Sequence, residues 1–278
     1  MKKLQTLLAI AMSGALLNVG LTASAQSAQP GYATVVRVKG TASYSLDGGA
    51  HKFPLIPGKY LESGAAIYTG EDGVVDVVLG KAVGMPQAKW QPERISLAPD
   101  SPVRGMISYK PATEQNVVRV MASSTLVIDK LTTTSSGADT VSDTELDLQK
   151  GSIFASVKKL SPAAQYLVKT PTGIAGVRGT QFSITLNPDG TIKSIAVYKT
   201  MGDEGLVLAV TASDGSTQTY LIKDDEMWEP GNPNPVPMPP ELKSLLQLTF
   251  DALRTVYIEV VNFDYDYTTQ YESSDFGF

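Results

Sequence analysis

The sequence predicts an all-β protein with an amphipathic helix near its C-terminus. Between residues 31 and 228, short runs of β-branched and aromatic residues recur, and several alternate between apolar and polar side chains, as in residues 153–157 and 181–185. Asp-Gly pairs, a dipeptide typical of tight β-turns, punctuate these runs at Asp47, Asp72, Asp189 and Asp214. This region also has no apolar stripe with the 3.6-residue period of a helix.

Two arrangements of the strands fit the turn pattern. The first and second Asp-Gly pairs, and again the third and fourth, are about 25 residues apart, a period that suits one coil of a β-solenoid. The residues around the pairs match poorly, however, so that the hairpins of a β-sandwich are the alternative. Both arrangements stay open from the sequence.

The N-terminus has the features of a cleaved secretory signal peptide, which we assign to residues 1–25. Lys2 and Lys3 precede an apolar run, and Ala23-Ser24-Ala25 supplies the small residues of a cleavage site before Gln26. The apolar run is short for a membrane span, and no second stretch is apolar enough for one. We therefore expect export to the periplasm or the cell surface, with no stable membrane span after cleavage.

Composition excludes several classes of function. The chain has no cysteine, so it forms no disulfide and performs no thiol catalysis. It has one histidine, His51, and a net charge of −5, which disfavours a histidine metal cluster and nucleic-acid binding. A Gly-x-Ser-x-Gly nucleophile motif is also absent from the sequence. We expect a protein that is not an enzyme and needs no cofactor.

The C-terminal part of the chain divides into three segments. Residues 229–240 contain six prolines and are expected to form an extended linker. Residues 241–262 follow as a helix with one apolar stripe, and residues 263–278 form an acidic, aromatic tail. The stripe consists of Leu242, Leu246, Thr249, Leu253, Val256 and Val260. The helix is expected to pack on the β-domain, and self-association is the alternative.

The segment TPTGIAGVRGTQF, residues 170–182, has a glycine at every third position. A P-loop requires a lysine after its last glycine, and a dinucleotide-binding loop requires a following helix, whereas residues 181–186 alternate like a strand. A β-corner explains the segment better, because Pro171 favours an extended residue before it and glycines tolerate positive φ. Ile174 and Val177 are then expected in the core, and the Arg178 guanidinium is expected to be largely buried against carbonyls or a carboxylate. The corner motif comprises Thr170, Pro171, Gly173, Gly176, Val177, Arg178, Gly179 and Thr180.

This segment resembles the signature of the FecR-domain family, in which a strand ending in Thr-Pro leads to Gly-Val-Arg-Gly-Thr and then to an alternating strand. Residues 35–42 resemble the opening strand of that family, and residues 58–70 resemble its Gly-x-x-Leu-x-x-Gly-x-x-Ile-x-Thr-Gly segment. The resemblance covers about residues 33–230 and implies an all-β, solenoid-like domain, which we place at residues 26–228.

The chain departs from the family pattern in two places. FecR-type regulators of sigma factors carry a cytoplasmic anti-sigma segment and a membrane helix before this domain, whereas a signal peptide is predicted here. The resemblance thus implies a FecR-like exported protein without the anti-sigma and transmembrane parts. Residues 81–124 have no evident family counterpart and are expected to be an insertion.

Acidic residues are concentrated at Asp139, Asp143, Glu145 and Asp147, which are candidates for calcium ligands because hard cations bind several oxygens. The Ser- and Thr-rich surroundings, residues 132–144, favour a solvated loop without a metal. We therefore predict no metal site.

These features favour an exported interaction or scaffold module, related to signalling, whose partner is an envelope or surface protein. A carbohydrate- or cell-wall-binding module is the first alternative, with a glycan as ligand. A carboxylate-dependent hydrolase is the second.

Overall fold

The computed structural model describes residues 28–80, 106–109, 116–136, 139–202, 205–212, 214–253 and 256–259. These residues form β-strands and one α-helix. The elements are β1 (Gln29–Pro30), β2 (Tyr32–Lys39), β3 (Ala42–Ser45), β4 (Phe53–Pro54), β5 (Tyr60–Leu61), β6 (Ala66–Thr69), β7 (Val74–Gly80), β8 (Met106–Tyr109), β9 (Asn116–Val120), β10 (Thr125–Ser136), β11 (Asp139–Lys150), β12 (Ser152–Ser156), β13 (Gln165–Thr170), β14 (Gly173–Val177), β15 (Thr180–Leu186), β16 (Ile192–Thr200), β17 (Leu206–Thr211), β18 (Thr217–Ile222), β19 (Glu226–Trp228), β20 (Val236–Pro237), α1 (Pro240–Leu253) and β21 (Val256–Glu259). The predicted signal peptide and tail lie outside the described residues.

Most of the strands belong to two large sheets that enclose the core. Sheet A has the order β18-β17-β14-β13-β11-β10-β6-β3-β4, with β1 beside β10. Sheet B has the order β20-β19-β16-β15-β12-β9-β7-β2-β5, and β8 and β21 pair separately. Strand neighbours are antiparallel in the described pairs, except for the parallel pair β11–β13. The all-β prediction is confirmed, in its sandwich-like form.

Strands of both sheets point alternate side chains into the space between them. On β12, Ile153 and Ala155 are fully buried in this core, and they lie opposite Ile184 and Phe182 of β15. The alternation predicted for these two strands is thus present. Burial of such side chains supplies the main driving force for folding, about 1.5–3 kcal/mol for each large one.

The last two Asp-Gly pairs form the same turn in two hairpins. Gly190 and Gly215 have φ angles of 86° and 82°, and each donates its N–H to the carbonyl three residues earlier, at 2.9 Å in both turns. Asp189 and Asp214 each accept a hydrogen bond from the N–H two residues later. The first turn joins β15 to β16 in sheet B and the second joins β17 to β18 in sheet A. The spacing of about 25 residues between these two pairs is therefore the distance between the turns of two successive hairpins, one in each sheet.

The predicted loop at residues 132–144 is wrong, because most of this segment belongs to the long hairpin of β10 and β11. Thr133 and Thr144 are buried on the inner side, with 5 % and 1 % exposure. Threonine is β-branched and suits a pleated, half-buried strand. The Ser- and Thr-rich composition that predicted a loop therefore occurs here in a sheet.

The C-terminal helix α1 ends at Leu253, earlier than the predicted end at residue 262. Val256–Glu259 instead pairs as β21 with β8, Met106–Tyr109. This segment is rich in β-branched and aromatic residues, which favour strands once a partner strand is available. No helix of the described residues meets the length and apolarity of a membrane span.

The predicted insertion at residues 81–124 contains an inner strand of the fold. β9, Asn116–Val120, lies between β7 and β12 in sheet B, and Val118 and Val120 are fully buried in the core. The C-terminal part of this segment therefore belongs to the β-sandwich. Residues 81–105 lie outside the described residues.

Candidate functional site

The corner motif forms a hairpin in sheet A and then crosses to sheet B. Thr170 ends β13 and its hydroxyl donates to the Gly173 carbonyl at 3.0 Å, where β14 begins. After β14, Gly179 has a φ of 73°, and Thr180 opens β15 in the other sheet. A Cβ on Gly179 would lie 2.9 Å from the Lys159 Cα, closer than side chains approach a backbone. The crossing thus needs a glycine at this position.

The two apolar residues of the motif have opposite environments. Val177 is 4 % exposed in the core, as predicted, whereas Ile174 is 45 % exposed. The prediction for Ile174 is wrong because β14 alternates, with Gly173, Ala175 and Val177 facing inward. Ile174 therefore lies on the outer face of sheet A.

Arg178 is half-buried and is more exposed than the sequence predicted. Its Nη2 donates to the Pro162 carbonyl at 2.7 Å, so that a carbonyl partner, one of the two predicted kinds, is present. The arginine lies at the crossing between the sheets, where the chain leaves the core. These contacts join parts of the same chain, and the structural role of the whole motif stays a prediction that mutagenesis can test.

A buried charge cluster on the outer face of sheet B was not found by sequence reasoning. Asp76 of β7 is fully buried between Arg37 of β2 and Arg119 of β9, which are its cross-strand neighbours. The Arg37 Nε lies 2.7 Å from Asp76 Oδ2, and the Arg119 Nε lies 2.7 Å from Asp76 Oδ1. The Arg119 side chain is 10 % exposed and that of Arg37 is 33 % exposed. The cluster ties three neighbouring strands together.

A β-bulge explains why Arg37 belongs to this cluster. Strict alternation from the buried Val35 would direct Arg37 into the core. The register between β2 and β7 shifts between Val35 and Arg37, so that Val36 is the extra residue and Arg37 faces Asp76. No signal in the local sequence marks this bulge, although an arginine and an aspartate within apolar strands indicate that a partner is needed.

Burial raises the pKa of the Asp76 carboxyl to about 6, and the Arg37 guanidinium opposes this shift. A carboxylate surrounded by two arginines carries a fixed charge arrangement and has little freedom to move. We therefore interpret the cluster as a structural element that sets the register of β2, β7 and β9.

Asp143, Glu145 and Asp147 of β11 lie along the outer face of sheet A. Asp143 contacts Lys130 at 3.2 Å, and Glu145 contacts Lys169 at 2.6 Å. Carboxylates two residues apart on a strand are about 6.6–6.8 Å apart along the chain, so that they do not converge on one ion. Among the described residues, no group of three acidic or histidine side chains has the geometry to hold a metal ion. Asp147 instead accepts a hydrogen bond from Gln149, and the side chain of Asp139 lies outside the described residues.

Three exposed apolar residues form a cluster on the outer face of sheet A, which we call the sheet A patch: Ile174, Val207 and Leu221, on β14, β17 and β18. Their exposed fractions are 45 %, 44 % and 43 %. Val207 lies directly opposite Leu221, and the glycine at position 176 lies opposite Val207 on the other side. This glycine leaves the surface between the three side chains open.

A shallow groove of about 330 Å³ lies where the β6–β7 turn meets the β9–β10 turn. Its charged and aromatic lining residues are Lys52, Tyr68, Glu71 and Lys150. The Lys52 ammonium lies 3.8 Å from the centroid of the Tyr68 ring, within the range of a cation–π contact. Ser123, in the same lining, has a φ of 54°, which is uncommon for a residue other than glycine.

The solved structures that resemble this chain include two of a putative anti-sigma factor from Parabacteroides distasonis, at 1.65 Å and 2.50 Å resolution. Identity is 13 % and 12 %, the matches cover 52 % and 48 % of this chain, and the TM-scores are 0.33 and 0.30. The matches span 61 % and 55 % of those chains, less than two thirds of their length. None of the curated proteins matches this chain.

A comparison with protein-family models gives a match to FecR protein over residues 109–200. The matched segment begins inside the predicted insertion and continues through β16, so that it includes the whole corner motif. It is shorter than the predicted resemblance, which extended from residue 33 to residue 230. Residues 109–200 thus match the model of the family that the Gly-Val-Arg-Gly-Thr motif resembles, and this motif lies inside the matched segment.

Proposed function

We propose that this chain is an exported, non-enzymatic FecR-domain protein that acts by binding a protein partner of the cell envelope. The observation that carries the proposal is the sheet A patch. Ile174, Val207 and Leu221 are each more than two-fifths exposed, and they are neighbours on three adjacent strands. Contiguous exposed apolar surface on a soluble domain is typical of a protein interaction site.

The surroundings of the patch resemble the rim of a protein interface. Leu167 of β13 extends the apolar surface on one side, and its neighbour on β11 is Glu145. Glu145 and Asp129 both pair with Lys169, at 2.6 Å and 3.2 Å. An apolar centre with a polar, solvent-accessible rim is the usual anatomy of such interfaces.

Capture experiments with the native envelope fraction test this proposal. The wild-type protein and the variants Ile174→Asp and Val207→Asp are immobilised, and the captured proteins are compared. Leu248→Asp is the matched control, because Leu248 is 70 % exposed on α1, away from the patch. We expect the same partner with wild type and control, and its loss with both patch variants at unchanged urea midpoints. Equal capture by all four proteins would contradict the proposal.

Export is tested separately by N-terminal sequencing of the mature protein. The expected first residue is Gln26, because Ala23-Ser24-Ala25 supplies the cleavage site. A protein that retains Met1 in a soluble cytoplasmic fraction would show that the export part of the proposal is wrong.

The groove beside Tyr68 favours a second candidate, a carbohydrate-binding module. An aromatic ring, two lysines, a glutamate and several hydroxyl groups in one concave surface offer stacking and hydrogen bonds to a sugar. A glycan screen with wild type, Tyr68→Ala and Ile174→Asp separates the two functions. Glycan binding that disappears in Tyr68→Ala and persists in Ile174→Asp would favour this candidate, and no binding by wild type would exclude it for the glycans screened.

A further inference from the structure

The edges of the two large sheets differ in how they are protected. The terminal strands β4, β5 and β20 each contain two residues, and β4 and β20 end in a proline. β18, the remaining terminal strand, contains six residues, TQTYLI, without a proline or a charged side chain. Natural proteins usually shorten their sheet edges or block them with proline or lysine, because an open edge pairs with other strands. β18 has none of these protections.

β18 is also extended and paired with β17 along its whole length, which is the conformation that pairing with a further strand requires. It pairs with β17 at six consecutive positions without a register shift, from Leu206 opposite Ile222 to Thr211 opposite Thr217. Ile222 is fully buried, and the Tyr220 ring packs on Trp228 with 4.9 Å between ring centroids. A fixed strand loses little conformational freedom when it pairs, since its backbone is already ordered.

We propose that β18 is a dimerisation edge, at which β18 of one copy pairs antiparallel with β18 of a second copy and joins the two A sheets into one. The row of N–H and C=O groups on an edge strand is complementary to itself about a twofold axis. The axis is perpendicular to the sheet and places one residue opposite its own copy, and we assign that position to Thr219, near the middle of the strand. Because β18 carries no charge, the pairing avoids repulsion along the strand although each chain has a net charge of −5.

The dimer also brings the two sheet A patches together. Leu221 lies at the outer end of each patch, next to the sheet edge, and Thr219 is its neighbour on the same face. Pairing of two copies places Leu221 of each beside the edge strand of the other, which shields part of its apolar surface. Ile174 and Val207 lie on inner strands and stay available to a different protein. The inference therefore goes beyond the proposed function and stands without it.

The absence of cysteine allows a direct test by cross-linking. Thr219→Cys places a single thiol near the proposed axis, and Lys193→Cys places one on an exposed position of β16, in sheet B. Under mild oxidation, we expect Thr219→Cys to form a disulfide-linked dimer rapidly and Lys193→Cys to form little. Equal rates for the two variants, at the same concentration, would overturn the proposal.

Light scattering after size-exclusion chromatography tests the unmodified dimer. Wild type is expected at twice the monomer mass, and Thr219→Lys at the monomer mass, because two lysines would meet near the axis. Ala50→Lys, at an exposed loop position, is the matched control and is expected to stay dimeric. A monomeric wild type, or a dimer that persists in folded Thr219→Lys, would overturn the proposal.

The same measurements distinguish pairing through β18 from a dimer formed through α1 and from the proposed partner binding. A dimer formed through α1 would persist in Thr219→Lys and dissociate in Leu248→Asp, and that result counts against β18 pairing. If Ile174→Asp loses partner capture but stays dimeric, the result supports the proposed function, and the intact dimer shows that the two properties are separate. A monomeric wild type that still captures its partner refutes the dimer and leaves the proposed function in place.

Discussion

Arg119 donates two hydrogen bonds to Asp76 from the neighbouring strand, with its Nε 2.7 Å from Oδ1 and its Nη2 3.1 Å from Oδ2. Asp76 is fully buried and the Arg119 side chain is 10 % exposed, so that water solvates neither group well. A buried ion pair adds little net stability over apolar residues of similar size, but removal of one partner leaves the other charge without compensation.

Arg119→Ala is therefore expected to lower the free energy of unfolding by about 3–5 kcal/mol, because the buried Asp76 then keeps one charged partner among the described residues, Arg37. Urea melts monitored by circular dichroism measure this loss. Lys130→Ala is the matched control, since the Lys130–Asp143 pair is 44 % and 33 % exposed and its loss is expected to change stability by less than about 1 kcal/mol. Similar midpoints for both variants would contradict the importance of burial.

The defect of Arg119→Ala is also expected to grow as the pH rises. Loss of the Arg119 guanidinium raises the pKa of the Asp76 carboxyl further above its wild-type value of about 6. An acid whose pKa is higher in the folded state than in the unfolded state binds its proton more tightly when folded, so that stability falls as the pH rises. Melts of wild type and variant on both sides of pH ~6 measure the difference. A constant difference between the two proteins would contradict this assignment.

Arg178→Ala is expected to lower the free energy of unfolding by about 1.5–3 kcal/mol, the range for a hydrogen bond to a charged group. Arg178 is half-buried, and its Nη2 donates to the Pro162 carbonyl at 2.7 Å, so that its removal does not strand a buried charge at this contact. Arg178→Lys keeps the positive charge and is expected to recover part of the loss. A loss as large as that of Arg119→Ala would show that the corner depends on Arg178 far more than this contact indicates.

Alternation in the sequence was a reliable guide where strands are regular. Ile153, Ala155, Phe182 and Ile184 all point into the core, as their period of two indicates. Gly179 has a positive φ, a conformation that the sequence analysis allowed for the glycines of the corner motif, but the structural role of that motif stays a prediction. Local rules therefore predicted much of the sheet interior.

Features that depend on distant parts of the chain could not be predicted from local sequence. The bulge at Val36 directs Arg37 to Asp76, a residue 39 positions away, and no turn residue marks it. The apolar stripe of the helix continues past Leu253, but Val256–Glu259 forms a strand because β8 is available as a partner. Tertiary pairing overrides local propensity in both places.

Phe250→Ala is expected to release α1 from the outer face of sheet B. Phe250 is 1 % exposed, and its ring lies 5.8 Å from that of Tyr198 and 6.4 Å from that of Phe154. Deletion of a buried Phe side chain costs about 3–5 kcal/mol. This cost is a large part of the packing energy of α1, because the helix has 14 residues and contacts the sheet along one side. Faster proteolysis within the proline-rich residues 229–240 measures the release. Leu248→Ala, at a 70 % exposed position of the same helix, is expected to leave the rate unchanged.

Gly179→Val is expected to destabilise the fold, whereas Gly176→Val in the same motif is expected to change the free energy of unfolding by less than about 1 kcal/mol. Gly179 has a φ of 73°, where a β-branched side chain is strained, and an added Cβ would lie 2.9 Å from the Lys159 backbone. The left-handed conformation alone costs a residue other than glycine about 1–2 kcal/mol, and the close approach adds to this cost.

Gly176 lacks both constraints and therefore separates the two explanations of the motif. The atoms nearest to an added Cβ there are 3.8 Å away, at ordinary contact distance, and the residue lies within the extended strand β14. If the glycines form a structural corner, urea midpoints fall for Gly179→Val and stay near wild type for Gly176→Val. If they instead line a ligand site, both variants keep the wild-type midpoint and lose only binding. Equal midpoints for the two variants would thus refute the corner, because the geometric difference between the two glycines would then have no effect on folding.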